Sequence, residues 1–159
     1  MFTYKHIVDL FKDAAFQHLM IEDFGYGQLS DIKTRNQSQN GDDEVNYPYA
    51  FLNPTTHQRT QGAVTYQFNL IMMDMAREEL SEAHKQYDNM LTIQSQCQQY
   101  IDDMVAHLYN NSNKPDIQFT MTYTPFVERF EDEVAGMTAA ISIIVPIPIN
   151  DCIAPSCRS

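Results

Sequence analysis

The stretch Ala63-Val64-Thr65-Tyr66-Gln67-Phe68-Asn69-Leu70-Ile71-Met72-Met73 sets the reading of the whole chain. Val64, Tyr66, Phe68 and Leu70 alternate with Thr65, Gln67 and Asn69, the period-two pattern of a half-buried strand. Ile71, Met72 and Met73 carry the strand into a fully apolar end. Between residues 77 and 110 the period changes. Leu80, Ala83, Tyr87, Met90, Leu91, Gln94, Cys97, Tyr100, Ile101, Met104, Val105 and Leu108 recur at three- and four-residue steps. That spacing lays one stripe along a long helix, with Gln94 its only polar interruption. Asn110-Asn111-Ser112-Asn113 supplies the turn residues that end it. A strand followed by a helix apolar on one face predicts a sheet covered by that helix.

Working outward, Ile117, Phe119, Met121 and Tyr123 alternate with polar residues as a further strand. After Pro125 and an acidic bend at 128–133 comes another strand, Val134 to Val145, which gives way to Pro146-Ile147-Pro148. Residues 146–159 have too much turn character for a strand and predict an extended C-terminal arm. On the other side, residues 3 to 20 form an amphipathic helix. Ile7, Leu10, Phe11, Ala14, Ala15 and Leu19 share one face, and the Thr3 hydroxyl caps its first turn. Residues 22–46 break the pattern with Gly25, Gly27, Asn40 and Gly41. We expect a long loop or arm there that orders against a neighbour. Tyr47 to Leu52 is a short strand with Pro48 near its start, which suits an edge or first-residue position, and a turn follows at 53–56. The order predicts one α+β domain over residues 1–159. Its antiparallel or mixed sheet of about four strands is packed by one long helix and an N-terminal helix.

Composition narrows the partners. Ten Lys and Arg against 21 Asp and Glu give a formal charge of −11. Phosphate binding depends on cationic side chains displacing counterions, so a general grip on nucleic acid is not expected. An anionic membrane surface would repel the chain as well. The apolar run from Val134 to Ile149 is too short to span a bilayer and ends in prolines. The first ten residues lack the continuous apolar core of a signal peptide. Three cysteines, Cys97, Cys152 and Cys157, are too few and too uneven for a disulfide framework, so a soluble protein in a reducing compartment is expected.

Catalytic constellations are sparse. His6, His18, His57, His84 and His107 show no i, i+4 pair with an intervening Glu, which a helical zinc site needs. Cys97 lies on the apolar stripe, and the gap between Cys152 and Cys157 is a weak metal signal without clustered His. No glycine-rich phosphate cradle follows a strand, and no Gly-x-Ser-x-Gly elbow occurs. One set is compatible with a metal-dependent nuclease: Asp74 at the end of a strand, with Glu82 and Lys85 beyond it. Here, however, Glu82 and Lys85 stand on a helix, where an i, i+3 pair is an ordinary surface ion pair. A helix cap is the more natural role for Asp74. No cofactor and no metal are therefore expected.

Several segments, taken in order, carry a likeness. His18-Leu19-Met20-Ile21 leads into Phe24-Gly25-Tyr26-Gly27-Gln28-Leu29-Ser30-Asp31-Ile32, then Tyr47-Pro48-Tyr49-Ala50 and Tyr66 to Asp74. Phe126 to Met137 and Pro146-Ile147-Pro148-Ile149-Asn150-Asp151-Cys152 close the set. This succession resembles the tail terminator and neck (head–tail joining) proteins of tailed bacteriophages. Met137 departs from the aromatic that the likeness leads one to expect after Gly136. The resemblance implies a non-enzymatic virion protein forming a homomeric ring of six or twelve copies. Such a ring joins portal or connector to tail, and DNA meets it only by passing through the lumen. Closed rings are built from head-to-tail contacts between two unlike faces. The natural arms are the Phe24 to Ile32 loop, with Phe24, Gly25, Tyr26 and Gly27, and the proline-rich segment after Val145 with Pro146 and Pro148, while Tyr26, Tyr47 and Tyr49 are the candidate interface anchors. Asp42, Asp43 and Glu44 are candidate lumen or rim charges that would hold DNA off the wall. A monomeric adaptor binding one protein partner is the remaining reading.

Overall fold

The computed structural model describes residues 3–32, 45–75, 83–113, 116–129 and 133–149. Among these residues two α-helices, α1 (Tyr4–Gln17) and α2 (Ala83–Asn111), accompany six strands. These are β1 (Asp23–Tyr26), β2 (Tyr49–Pro54), β3 (Gln58–Arg59), β4 (Val64–Met75), β5 (Gln118–Arg129) and β6 (Glu133–Val145). The sheet runs β1-β2-β4-β6-β5, with β3 paired to β4 off that path. The α+β architecture is the one the sequence periods predict, with six strands in place of about four.

The two longest pairings set the frame. β4 and β6 run antiparallel without a break from Val64↔Val145 to Met75↔Val134. β5 and β6 do the same from Gln118↔Ile144 to Arg129↔Glu133. Alternation then decides the faces. Phe68, Leu70 and Met72 on β4 and Ala139, Ile141 and Ile143 on β6 point to the helical layer. There they join Ile7 and Phe11 of α1 and Cys97, Ile101, Met104 and Leu108 of α2 in one buried cluster. Each large side chain fully buried in this way contributes roughly 1.5–3 kcal/mol. The residues between them point the other way. At one end of that face Tyr49, Phe51, Met73 and Val134 close a second, smaller cluster with Val45. Toward the opposite end the face carries Thr120, Thr122 and Thr124 of β5, all exposed.

Local details follow from the residues. The Thr3 hydroxyl accepts the His6 N–H at 3.2 Å, the expected N-cap. α1 ends at Gln17, three residues earlier than its apolar spacing suggests, because His18 leaves the helical region with ψ 126°. Leu19 therefore points into solvent at 94% exposure instead of joining the apolar face. Leu91 is likewise exposed, on the flank of the α2 stripe. Gln94 spends its polar group usefully: Nε2 donates to the Phe126 carbonyl at 3.2 Å.

The segment expected as a loop from 22 to 46 differs in its first part. Asp23–Tyr26 is a strand lying parallel to β2, and a single 3-10 turn follows at Leu29–Asp31. β2 runs on through Asn53 and Pro54, which the sequence reads as turn. β5 passes straight through Pro125 to Arg129, so the acidic bend is shorter than expected. β5 is the last strand of the sheet, and an edge is where a residue without an N–H is tolerated.

Candidate assembly surfaces

β1 is held by small features of its own sequence. The Asp23 and Gly27 N–H groups donate to the carbonyls of Pro48 and Leu52, at 3.4 and 3.1 Å. The odd-numbered residues thus face β2, and Phe24 and Tyr26 turn their backbone groups outward. Phe24 donates its N–H to Asp23 Oδ1 at 2.9 Å, while its ring packs against the main core. Gly25 lies so close to the Tyr49 hydroxyl and the Phe51 ring that a Cβ would come nearer than 3.0 Å to both. Gly27 takes φ +146°, open to glycine and strained for a side chain. Its carbonyl accepts from Asn53 Nδ2 at 2.9 Å, which satisfies a buried amide. Asp31 Oδ2 accepts the Gln28 N–H at 2.9 Å and so caps the 3-10 turn.

Tyr26 reaches back to α1, where its hydroxyl is hydrogen-bonded to that of Tyr4. Burial, and then this bond, hold the Tyr4 phenol well above its usual range. The Tyr4 ring stacks on Phe68 at 5.9 Å and 3° and tilts against His57 at 4.7 Å. Desolvation in that aromatic group lowers the His57 pKa. At its other end α1 is tied to α2 by His18 Nε2 and Asp103 Oδ2, 2.9 Å apart. Between residues 16 and 29, Phe16, Leu19, Met20, Tyr26 and Leu29 all keep large apolar side chains in solvent.

The opposite end of the sheet is β5 over α2. The Tyr123 hydroxyl donates to Asp102, and burial and that carboxylate both push the phenol pKa up. Tyr109 meets Phe119 edge-on at 6.2 Å. Together with the Gln94–Phe126 bond, these contacts trace one helix flank beneath the strand. Exposed apolar side chains border it: Leu91 and Tyr109 on α2, and Val127 on β5.

The other sequence-predicted residues fall as follows. Tyr49 is buried in the smaller cluster, and Tyr47 packs partly buried against it. Pro146 and Pro148 are exposed, while Ile147 between them packs on the main core. Ile149 donates its N–H to the Gln61 carbonyl at 2.9 Å, so the start of the arm lies along its own subunit. Asp42, Asp43, Glu44 and the arm from residue 150 onward lie outside the described residues. Glu82 does too, and with it the test of a triad with Asp74 and Lys85. Asp74 closes β4, half-buried, with Oδ1 accepting the Met75 N–H at 2.8 Å. Its charge adds to burial in raising the Cys97 thiol to about 12. Among the described residues, no group of three or more His, Cys, Asp and Glu could hold a metal ion. No described helix is long and apolar enough to cross a membrane.

The sequence reading names Tyr26 and the loop that carries Leu29 but misses Leu91, Tyr109 and Val127 as surface residues. A recognisable signal exists for Leu91 alone, at the margin of the helical stripe. No protein-family model matches the chain, and no curated protein matches it in sequence.

Proposed function

We propose that the chain is a structural virion protein of a tailed bacteriophage. In this reading it forms a homomeric ring at the head–tail junction or the top of the tail, joins connector to tail and lets DNA pass. The observation that carries the reading is the placement of exposed apolar side chains in two unlike sets at the two ends of one sheet. Tyr26 and Leu29 stand on β1 and the turn after it; Val127, Leu91 and Tyr109 stand on β5 and the helix beneath it. A head-to-tail contact needs two different sticky faces on each subunit, and repetition of such a contact closes a ring. The α+β order and the succession of phage-like segments agree with this reading. A charge of −11 suits a lumen wall that must not bind the duplex sliding past it.

Native mass spectrometry of the purified chain over a concentration series tests the proposal. A discrete six- or twelve-fold species is expected. A monomer at every concentration counts against self-assembly and favours an adaptor. Mg²⁺-dependent nicking of DNA, abolished by Glu82→Gln, would favour the nuclease.

A further inference from the structure

Among the described residues the sheet ends in two edge strands, β1 and β5, and they are built differently. β1 has four residues, and the Asp23 carboxylate occupies one of its outward N–H groups. β5 has twelve residues and pairs with β6 in unbroken register, without a bulge to twist it away. From Gln118 to Val127 it carries no charge in a chain of net −11. Among the described residues, no strand and no side chain bonds the outward backbone groups of Gln118 to Thr124. Proteins that keep such an edge to themselves shorten it, place lysine on it or bulge it. Between Gln118 and Val127 the one such device is Pro125, and charge enters β5 only at its end, with Glu128 and Arg129.

The directions of the edges fit each other. β1 runs parallel to β2, and each later step along the sheet, β2 to β4, β4 to β6 and β6 to β5, is antiparallel. β5 therefore runs opposite to β1. In a cyclic assembly whose axis lies along the strands, every copy keeps the same strand directions. The β1 of one copy then meets the β5 of the next antiparallel, the pairing with the better backbone geometry. Tyr26 presents its outward N–H and carbonyl to that junction, and Phe24 its carbonyl alone, since Asp23 holds its N–H. The exposed Leu29 comes on the β1 side, and Leu91, Val127 and Tyr109 border the β5 side.

We propose that the β5 edge takes the β1 edge of a second copy of this chain, so that subunits join by continuing one sheet from copy to copy. This inference rests on the ring reading and names its contact. A second β5 about a twofold axis is the competing occupant. It would close a dimer and leave no polar ring.

The test uses the full chain and two kinds of variant. Thr122→Lys with Thr124→Lys guards the β5 edge, and both positions are exposed, so folding should persist. Tyr26→Pro removes an outward donor from β1 without touching its bonds to β2, and Leu29→Lys alters the same end without touching the strand. Circular dichroism and melting checks each fold. Native mass spectrometry should show each variant alone as a monomer under conditions where wild type forms the ring. Mixing a β5 variant with a β1 variant should restore one good junction and give a 1:1 heterodimer that grows no further. The amides of Gln118 to Thr124 should exchange at least tenfold more slowly in the wild-type ring than in the β5 variant. A wild-type ring that survives both kinds of variant overturns this contact and leaves the ring reading standing. A wild-type dimer lost only with the β5 variant, with no rescue on mixing, overturns it in favour of the twofold pair. A wild-type monomer at every concentration overturns both.

Discussion

Gly136→Ala is a sharp test of how the sheet is packed. Gly136 is buried on β6, paired with Met73 on one side and Phe126 on the other. A Cβ there would come closer than 3.0 Å to the Met72 carbonyl oxygen and 2.9 Å from Phe126 Cζ. The ring edge can turn aside, but the carbonyl is fixed in a strand paired over twelve residues. In an unconstrained strand, alanine would gain about 0.5–1 kcal/mol over glycine. Here the methyl overpacks a backbone contact, at a cost of about 1–3 kcal/mol that the gain offsets only in part when the strands must separate. We expect a net loss of about 1–2 kcal/mol, which for a chain of this size lowers the melting temperature by about 2–8 °C. Gly62→Ala serves as the control, since nothing lies within 4 Å of its added Cβ. It should be neutral or stabilising by up to ~1 kcal/mol. Thermal melting by circular dichroism and urea titration give both values. Gly136→Ala melting at or above wild type would refute the close approach of β4 and β6 at this point.

Three further outcomes are expected. Thr3→Ala removes the hydroxyl that accepts the His6 N–H and should cost about 1 kcal/mol in urea unfolding, with the sheet unchanged. Leu108→Ala truncates a side chain with no exposed surface in the core and should cost about 2–5 kcal/mol by the same assay. Burial, and then Asp74, raise the Cys97 thiol from 9.0 to about 12, so it should resist alkylation in the folded protein at pH 8 and react on unfolding, read at its own peptide by mass spectrometry. Above pH 9 the unfolded thiol loses its proton while the folded one keeps it, so this group should lower stability as pH rises from about 9 toward 12. Cys97→Ala should flatten that slope.

The parts of the fold legible in the sequence are those where one period runs for ten residues or more. The alternation from Val64 to Leu70 and the stripe read from Leu80 to Leu108 are long enough to outweigh local irregularity; the strand is where its period places it, and the helix is described from Ala83 to Asn111. β1 escapes that reading because four residues, Asp23-Phe24-Gly25-Tyr26, cannot establish a period, and its glycine counts locally as a turn signal. What fixes β1 is distant: the Tyr49 and Phe51 rings accept only a glycine at 25, and the Pro48 and Leu52 carbonyls wait for its amides. Pro125 misleads for a related reason. Proline argues against a strand interior, but tertiary position makes β5 an edge, which a linear reading cannot see. The same limit applies to the candidate surfaces. Leu91 and Leu19 look like core residues because their spacing is right to within one position. Only the end of α1 at Gln17 and the seating of α2 on the sheet turn them into solvent.

The unbroken pairing of β4 with β6 also bears on the order in which the chain becomes a protein. Asn69 finds its partner in Ala140, so β4 leaves the ribosome about 70 residues before the strand that completes it. At roughly 5–20 residues per second, that is a wait of several seconds. During it Phe68, Leu70 and Met72 have β2 on one side and nothing on the other. Such long-range closure slows folding relative to local pairings and leaves the nascent centre of the sheet exposed. α1, made before β4, and α2, synthesised in the interval, are the apolar helix faces that can lie over those side chains until β6 arrives.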